Sequence, residues 1–364
     1  MKRQGKKNKN FLSVLLKIVI VIFALVILII PVSFGVIMYL NAPVQADALR
    51  LSDTETDGIS LAEDGSILID IRRGESAQSV GFRLERAGLI KNTYFWRLLS
   101  RLENEHIKTG TYRLELPASP VSIYRLLVSG REVLYKVTIP EGVTLRKTAI
   151  ILEQAGICSA QNFMEAARDR QIISHYGIPN ESMEGYLFPD TYLFPVEYPA
   201  SMVVRAMADN FFNRLETISP SFSDMSPQEI NEKVILASIV EREYRVADEA
   251  SVMAGVFVNR IGINMALQSC ATVEYIITEI QGKPHPSVIY YSDLEIRDPY
   301  NTYIYRGLPP GPISAPGMVA LRAAMYPQKT DYLYFRLTDP ASGRHYFSRT
   351  YDDHISAGLL IPKG

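Results

Sequence analysis

Two carboxylates near the end of an apolar run are the residues with the clearest capacity for chemistry. In SPQEINEKVILASIVEREYR, from Ser226 to Arg245, Glu241 and Glu243 flank Arg242 directly after Val234 to Val240. A carboxyl held against apolar surface has its charged form disfavoured and its pKa raised, as a general acid near neutral pH requires. On a helical wheel Glu241 lines up with Ile230, Val234 and Ala237, whereas Glu243 lies on the opposite side near Ile239 and Leu236, so the two should not share a cleft. Spacing alone favours a blander outcome in which both pair with Arg242 or Arg245 at a frayed helix end.

The helix that carries them is well marked. Ser226 caps it, Pro227 takes the first helical position and Glu229 completes a capping box. The run from Val234 to Val240 leaves no polar face, which predicts a helix packed on every side.

Other reactive groups are sparse. Cys158 and Cys270 are too few for a disulfide framework and lack metal-ligand spacing. His106, His175, His285, His345 and His354 are scattered, with no HExxH, and no GxSxG turn is present. No metal or cofactor is implied. A net charge of −1 gives no sign of a nucleic-acid partner.

The charge is uneven, however. Lys2, Arg3, Lys6, Lys7 and Lys9 precede 23 uncharged residues from Ile18 to Leu40, long enough to cross a bilayer of roughly 30 Å. The basic flank predicts a cytoplasmic tail (1–17), a single membrane span (18–40) and everything from Asn41 onward outside. A cleaved signal peptide is the alternative, but its apolar core would be shorter. The acidic stretch 41–66 reads as a spacer.

A repeat follows. Ile69-Asp70-Ile71, Gly74, Ser76, Leu84-Glu85, Ala87-Gly88-Leu89 and Phe95 recur 68 residues later as Val137-Thr138-Ile139, Gly142, Thr144, Leu152-Glu153, Ala155-Gly156-Ile157 and Phe163. Each copy predicts a strand, a glycine turn, a hydroxyl-capped helix and a glycine stop. Helices over 94–102 and 121–129 and a strand over 110–114 would close the first copy as a small α/β module (67–135). The remainder (136–364) is expected to be a mixed α+β domain around the buried helix. Within it, EGYLFPDTYLFPVEYP (184–199) reads as extended, aromatic and proline-rich, suited either to stacking on sugar rings or to filling the core. A second helix is expected over 246–259, with Ala250, Ala254 and Val258 on one side. Loops follow at 265–270, 298–303 and 307–312, where Gln268 and Asn301 are placed to hydrogen-bond either a polar ligand or loop backbone. A hairpin is expected at 331–347.

LASIVEREY, Leu267-Gln268-Ser269, PYNTY (299–303) and GLPPGPISAPG (307–317), in this order behind a basic tail and one span, resemble the MltG/YceG-like family of endolytic murein transglycosylases. The resemblance covers roughly 67 to 360. It implies a LysM-like module followed by a catalytic domain, with Glu243 as the acid/base and Gln268, Tyr300 and Asn301 as substrate-binding residues. Tyr244 stands where relatives commonly carry Thr or Ser after the glutamate, and Cys270 where they often carry Asp. The implied activity is water-free cleavage of the N-acetylmuramic acid to N-acetylglucosamine bond of peptidoglycan, leaving 1,6-anhydro ends and terminating nascent strands at the outer face of the cytoplasmic membrane. Penicillin-binding wall synthases are the implied partners. A hydrolytic muramidase and a non-catalytic wall-binding scaffold are the competing expectations; the first wants a second carboxylate, and Glu241 lies on the wrong side to serve.

Overall fold

The computed structural model describes residues 4–45, 49, 58–62, 65–72, 74–103, 105–130 and 133–358. The chain divides into two compact units, Met1–Val133 and Leu134–Gly364.

In the first unit, α1 (Gln4–Leu40) is one continuous helix with Pro31 inside it. Among the described residues no helix is long and apolar enough to cross a membrane. The expected span at 18–40 falls partly on side chains outside the described residues, those of 18, 19, 21, 22 and 24. Where side chains are described, Phe23, Ile27, Ile30 and Phe34 are exposed.

The stretch expected to be a spacer lies largely outside the described residues, but its end does not. Strand β1 (Ile59–Leu61) pairs antiparallel with β2 (Ile67–Ile71), which pairs in turn with β3 (Gly110–Leu114). The sheet therefore starts inside 41–66. Acidic neighbours mask a three-residue strand in a composition reading, yet Ile59 is buried on the core face. Helices α2 (Ala77–Arg86), α3 (Thr93–Glu103) and α4 (Pro120–Ser129) complete the unit. Its core gathers Ile67, Ile69 and Ile71 from alternate positions of β2 around Trp96 and Tyr124, whose rings meet edge to face at 5.4 Å.

The second unit repeats the opening motif. Strand β4 (Tyr135–Thr138) leads through Gly142 to α5 (Leu145–Gln154), and Thr144 caps α5 through the Lys147 N–H as Ser76 caps α2 through Ser79. Gly74 and Gly142 have φ of 78° and 72°, the left-handed region that makes glycine the natural residue at both turns. Helices α6 (Ala160–Ala166) and α7 (Arg170–His175) follow, then β5 (Thr191–Phe194), which pairs antiparallel with β4.

Helix α8 (Ala200–Ile218) then leads to α9 (Pro227–Glu243), the helix with the paired carboxylates. The Ser226–Glu229 capping box forms in both directions, and every residue from Val234 to Val240 is buried. Around it pack α10 (Ala250–Gly262), α11 (Cys270–Tyr275) and α12 (Met318–Met325). The helix expected from 246 begins as a 3-10 turn, Ala247–Glu249, and becomes α-helical at Ala250. Ala250 and Ala254 are buried, but Val258 is exposed. The hairpin β6 (Tyr334–Asp339) and β7 (Arg344–Ser348) precedes α13 (Tyr351–Ser356). Buried Glu249 accepts from the His345 N–H and pairs with its Nδ1 at 2.9 Å, joining hairpin to α10. The architecture is mixed α+β, as expected.

Candidate active site

Helix α9 ends at Glu243, and Tyr244 turns into extended backbone at φ −71°, ψ 146°. The final turn thus delivers Glu241, Arg242 and Glu243 to three different surroundings. Arg242 does not pair with either neighbour: its guanidinium meets Glu274 Oε1 at 2.5 Å, and His285 Nε2 lies 2.6 Å from the same oxygen. The ion pairs suggested by spacing are replaced by one that reaches across to α11.

Glu241 Oε2 accepts from the Gly317 N–H at 2.8 Å. Burial pushes its pKa up to about 7, against the pull of that backbone donor. Gly317 closes the proline-glycine loop, which is laced onto α9 by two further bonds: the Ile313 N–H donates to Ser238 Oγ at 3.0 Å and Ser314 Oγ donates to Ser238 O at 3.0 Å. Ser238, the one hydroxyl within the apolar run, is fully buried and bonded on both counts. Glu241 is therefore part of the fastening between α9 and this loop.

Glu243 is different. Its Oε1 accepts from Ser269 Oγ at 2.5 Å. Burial raises its pKa, while the Ser269 hydroxyl and the charges of Arg242 and Arg260 pull it back and Glu274 pushes it further up. Ser269, at the start of α11, is itself fixed: its N–H donates to Thr302 Oγ1 at 3.1 Å, and the Thr302 and Thr272 hydroxyls meet at 2.9 Å. Arg260 holds the preceding strand of loop, donating to Leu267 O at 2.7 Å and Leu333 O at 2.6 Å. Beside them Cys270 Sγ and the Tyr303 hydroxyl are 3.0 Å apart. The carboxyl thus has a raised pKa, a hydroxyl holding one oxygen, and a rigid frame behind that hydroxyl. These are the attributes of a group that gives and takes a proton at a set position.

The other residues expected at the site divide. Gln268 is exposed, with φ at 53°, and its N–H donates to Thr302 O at 3.0 Å, so its side chain is thrown outward beside the serine. Tyr300 is half-buried against Tyr275, ring centroids 5.1 Å apart. Asn301 departs from the expectation of a substrate contact. It is 0% exposed, its amide donates to Leu294 O at 2.9 Å and Ile296 O at 2.8 Å, and its oxygen accepts from the Tyr303 N–H at 3.0 Å. The amide satisfies Leu294 O and adds a second donor to Ile296 O, which also accepts from the Asp298 N–H at 3.1 Å, so all three bonds serve the loop that carries Tyr300 and Thr302.

Three residues with clear local roles were not singled out by sequence. Ser269 stands inside the Leu267-Gln268-Ser269 segment, but nothing in the spacing says that its hydroxyl reaches 26 positions back to Glu243. Arg260 reads as an ordinary basic residue on a helix. Glu184 opens the aromatic run, which also holds Asp190 and Glu197, so its position beside Tyr186, Leu187 and Phe188 is the one local signal that it is buried. It is 7% exposed, both its oxygens accept from the Leu145 N–H at 3.1 and 3.2 Å, and burial pushes its pKa up to about 8.

Glu243, held by a bonded hydroxyl at the end of a buried helix in an α+β unit with proline-rich and aromatic loops around it, is the candidate acid–base group of this unit. Residues 69–358 match the YceG-like family, and the chain belongs to that family. An endolytic murein transglycosylase of Streptococcus pneumoniae is 29% identical over 322 residues, covering 79% of this chain and 57% of that protein. The chain therefore spans little more than half the length of that relative. The endolytic murein transglycosylase of Bacillus subtilis strain 168 is 29% identical over 311 residues, covering 80% of this chain and 84% of its own. A crystal structure of a yceG-like protein from Listeria monocytogenes aligns with a TM-score of 0.54 and 30% identity, over 80% of this chain and 98% of that one.

Proposed function

We propose that this protein is an endolytic lytic transglycosylase that cleaves the β-1,4 bond between N-acetylmuramic acid and N-acetylglucosamine in peptidoglycan strands. The observation that carries the proposal is Glu243, a carboxyl of raised pKa held by Ser269 Oγ at 2.5 Å. The names of the relatives from Streptococcus pneumoniae and Bacillus subtilis supply the substrate.

In this mechanism protonated Glu243 donates its proton to the glycosidic oxygen. The bond from that oxygen to muramoyl C1 breaks, the departing N-acetylglucosamine leaves as its 4-hydroxyl, and positive charge develops on the muramoyl ring. Ionised Glu243, with one oxygen still accepting from Ser269, lies where it can stabilise that charge. It then takes the proton from the muramoyl 6-hydroxyl as O6 bonds to C1, which restores the acid and leaves a 1,6-anhydro end. Paired-carboxylate glycosidases use a second carboxylate for the nucleophilic or base role. Here Glu241 is bonded to Gly317, and the substrate's own tethered hydroxyl fills the role.

The uncharged run Ile18–Leu40 behind five basic residues, and the exposed apolar side chains along α1, support a single-pass anchor with its N-terminus in the cytoplasm. The strand-turn-helix repeat supports a LysM-like glycan-holding role for the first module. An anchored enzyme of this kind would act on strands as they leave penicillin-binding wall synthases.

Digestion of peptidoglycan in ¹⁸O-water tests the chemistry. An attached 6-hydroxyl outcompetes solvent because a well-oriented intramolecular group reaches effective molarities of about 10⁵ M or more. New ends should be anhydro, lighter by one water than hydrolysis products and free of label. Labelled reducing ends would replace this mechanism with attack by water.

A further inference from the structure

Glu184 stands in the wall of a cavity of about 680 Å³ that is formed by residues other than Glu243. Tyr275, Tyr300, Asn180 and Gly311 share the wall, which is completed by charges of both signs, Arg146 and Arg168 with Glu181 and Glu279. The volume falls within the range that encloses a small organic ligand.

The wall has the mixed character that a pyranose ring requires. A sugar presents an apolar face of C–H groups edged by hydroxyls, so it is held by an aromatic surface with hydrogen-bonding groups around it. Tyr275 and Tyr300, tilted by 37°, supply the aromatic surface. Gly311 makes room for it, since a Cβ there would lie 2.8 Å from the Tyr300 hydroxyl. Asn180 is oriented by an N–H donated to Asn231 Oδ1 at 2.7 Å, which leaves its amide oxygen as an acceptor. Glu184 is fixed by the Leu145 N–H, and the Tyr275 hydroxyl lies 3.5 Å from its Oε2. Burial pushes the pKa of this carboxyl up to about 8, and its oxygens are hydrogen-bonding groups for a ligand hydroxyl.

Two elements connect the cavity to Glu243. Helix α11 is preceded by Ser269, which bonds Glu243, and ends at Tyr275 in the cavity wall, about 9 Å along the helix axis. The second is the loop on which Tyr300 lies two residues before Thr302, the hydroxyl that accepts from Ser269.

We propose that this cavity is a saccharide subsite, which binds a neutral pyranose ring of the glycan away from the bond being cut, with Tyr275 and Tyr300 as its stacking face and Glu184 as its polar anchor. The inference rests on the glycan reading of the substrate. Calorimetry with chitotetraose and the full chain carrying Glu243→Gln tests it directly. Tyr300→Ala should weaken binding about tenfold, the equivalent of about 1.4 kcal/mol. Glu184→Gln and Tyr275→Phe should each weaken it several-fold without loss of the cooperative thermal transition at pH 7, which keeps the test valid should Tyr300→Ala fail to fold. Affinities within about twofold of the parent for the two conservative variants, or no binding by the parent, would overturn the subsite. With Glu243 intact, the same substitutions should raise KM for glycan strands and leave kcat, the pattern of lost uniform binding. A parent that binds chitotetraose through these residues but cuts no glycan would leave the subsite standing and remove the proposed activity. Normal cleavage with unchanged KM in every variant would do the reverse.

Discussion

Ser269 Oγ donates to Glu243 Oε1 at 2.5 Å, across 26 residues of sequence. A donor to a carboxylate favours the charged form, so this bond opposes the burial that raises the Glu243 pKa. Ser269→Ala removes the donor and keeps the backbone N–H that bonds Thr302. The Glu243 pKa should rise further, and the alkaline limb of kcat/KM, where the acid loses its proton, should move to higher pH. Hydrogen bonds to charged groups contribute about 1.5–3 kcal/mol, so the shift should be on the order of one pH unit. A limb that moves to lower pH would show that the serine does not serve the charged form.

The two glutamates should separate cleanly. Glu243→Gln keeps the shape and removes the transferable proton, so glycan cleavage should fall by about 10²–10⁴-fold with little change in melting temperature. Glu241→Gln leaves an amide oxygen able to accept from Gly317 and should retain activity. Glu241→Ala strands that N–H and should cost about 1–3 kcal/mol of stability. An inactive Glu241→Gln beside an active Glu243→Gln would reverse the assignment.

Features set by local chemistry were legible in the sequence. The Ser226 capping box, the hydroxyl caps at Ser76 and Thr144 and the apolar run of α9 depend on residues within one or two turns of each other, and each forms as read. Pairings set by tertiary distance were not. Arg242 has two glutamates adjacent in sequence and binds Glu274, 32 positions away, because the end of α9 turns its side chain toward α11. Asn301 has the polarity of a ligand contact, but the carbonyls of Leu294 and Ile296 lie in a loop whose folding brings them to it. The cavity around Glu184 draws on residues from 145 to 312, and no local pattern announces it.

The buried position of Asn301 makes its own prediction. Asn301→Ala leaves Leu294 O and the Tyr303 N–H without their partner and takes one of two donors from Ile296 O, at a combined cost of about 3 kcal/mol. Melting temperature should fall and KM should rise together, since the loosened loop carries Tyr300 and Thr302. A variant that melts like the parent but no longer binds glycan would place the amide against substrate.

Glu184 should also leave a mark on stability against pH. Its pKa is raised from 4.5 to about 8 by burial, and that of Glu241 to about 7. Between pH 4.5 and these values the folded chain keeps protons that the unfolded chain has released. The native state then binds more protons than the unfolded state, so stability falls as pH rises through this window and levels off above about pH 8. Glu184→Gln removes the larger of the two titrations. Its stability relative to the parent should therefore improve steadily from pH 5 to pH 8, by on the order of a few kcal/mol, as read from denaturant midpoints at several pH values. The Leu145 N–H at the start of α5 acts in the opposite sense, since a helix N-terminus favours an anion. If that donor outweighed desolvation, Glu184 would be ionised in the native state and the parent's gain on the variant would be complete near pH 5, so a difference that stays flat from pH 5 to pH 8 would decide against burial.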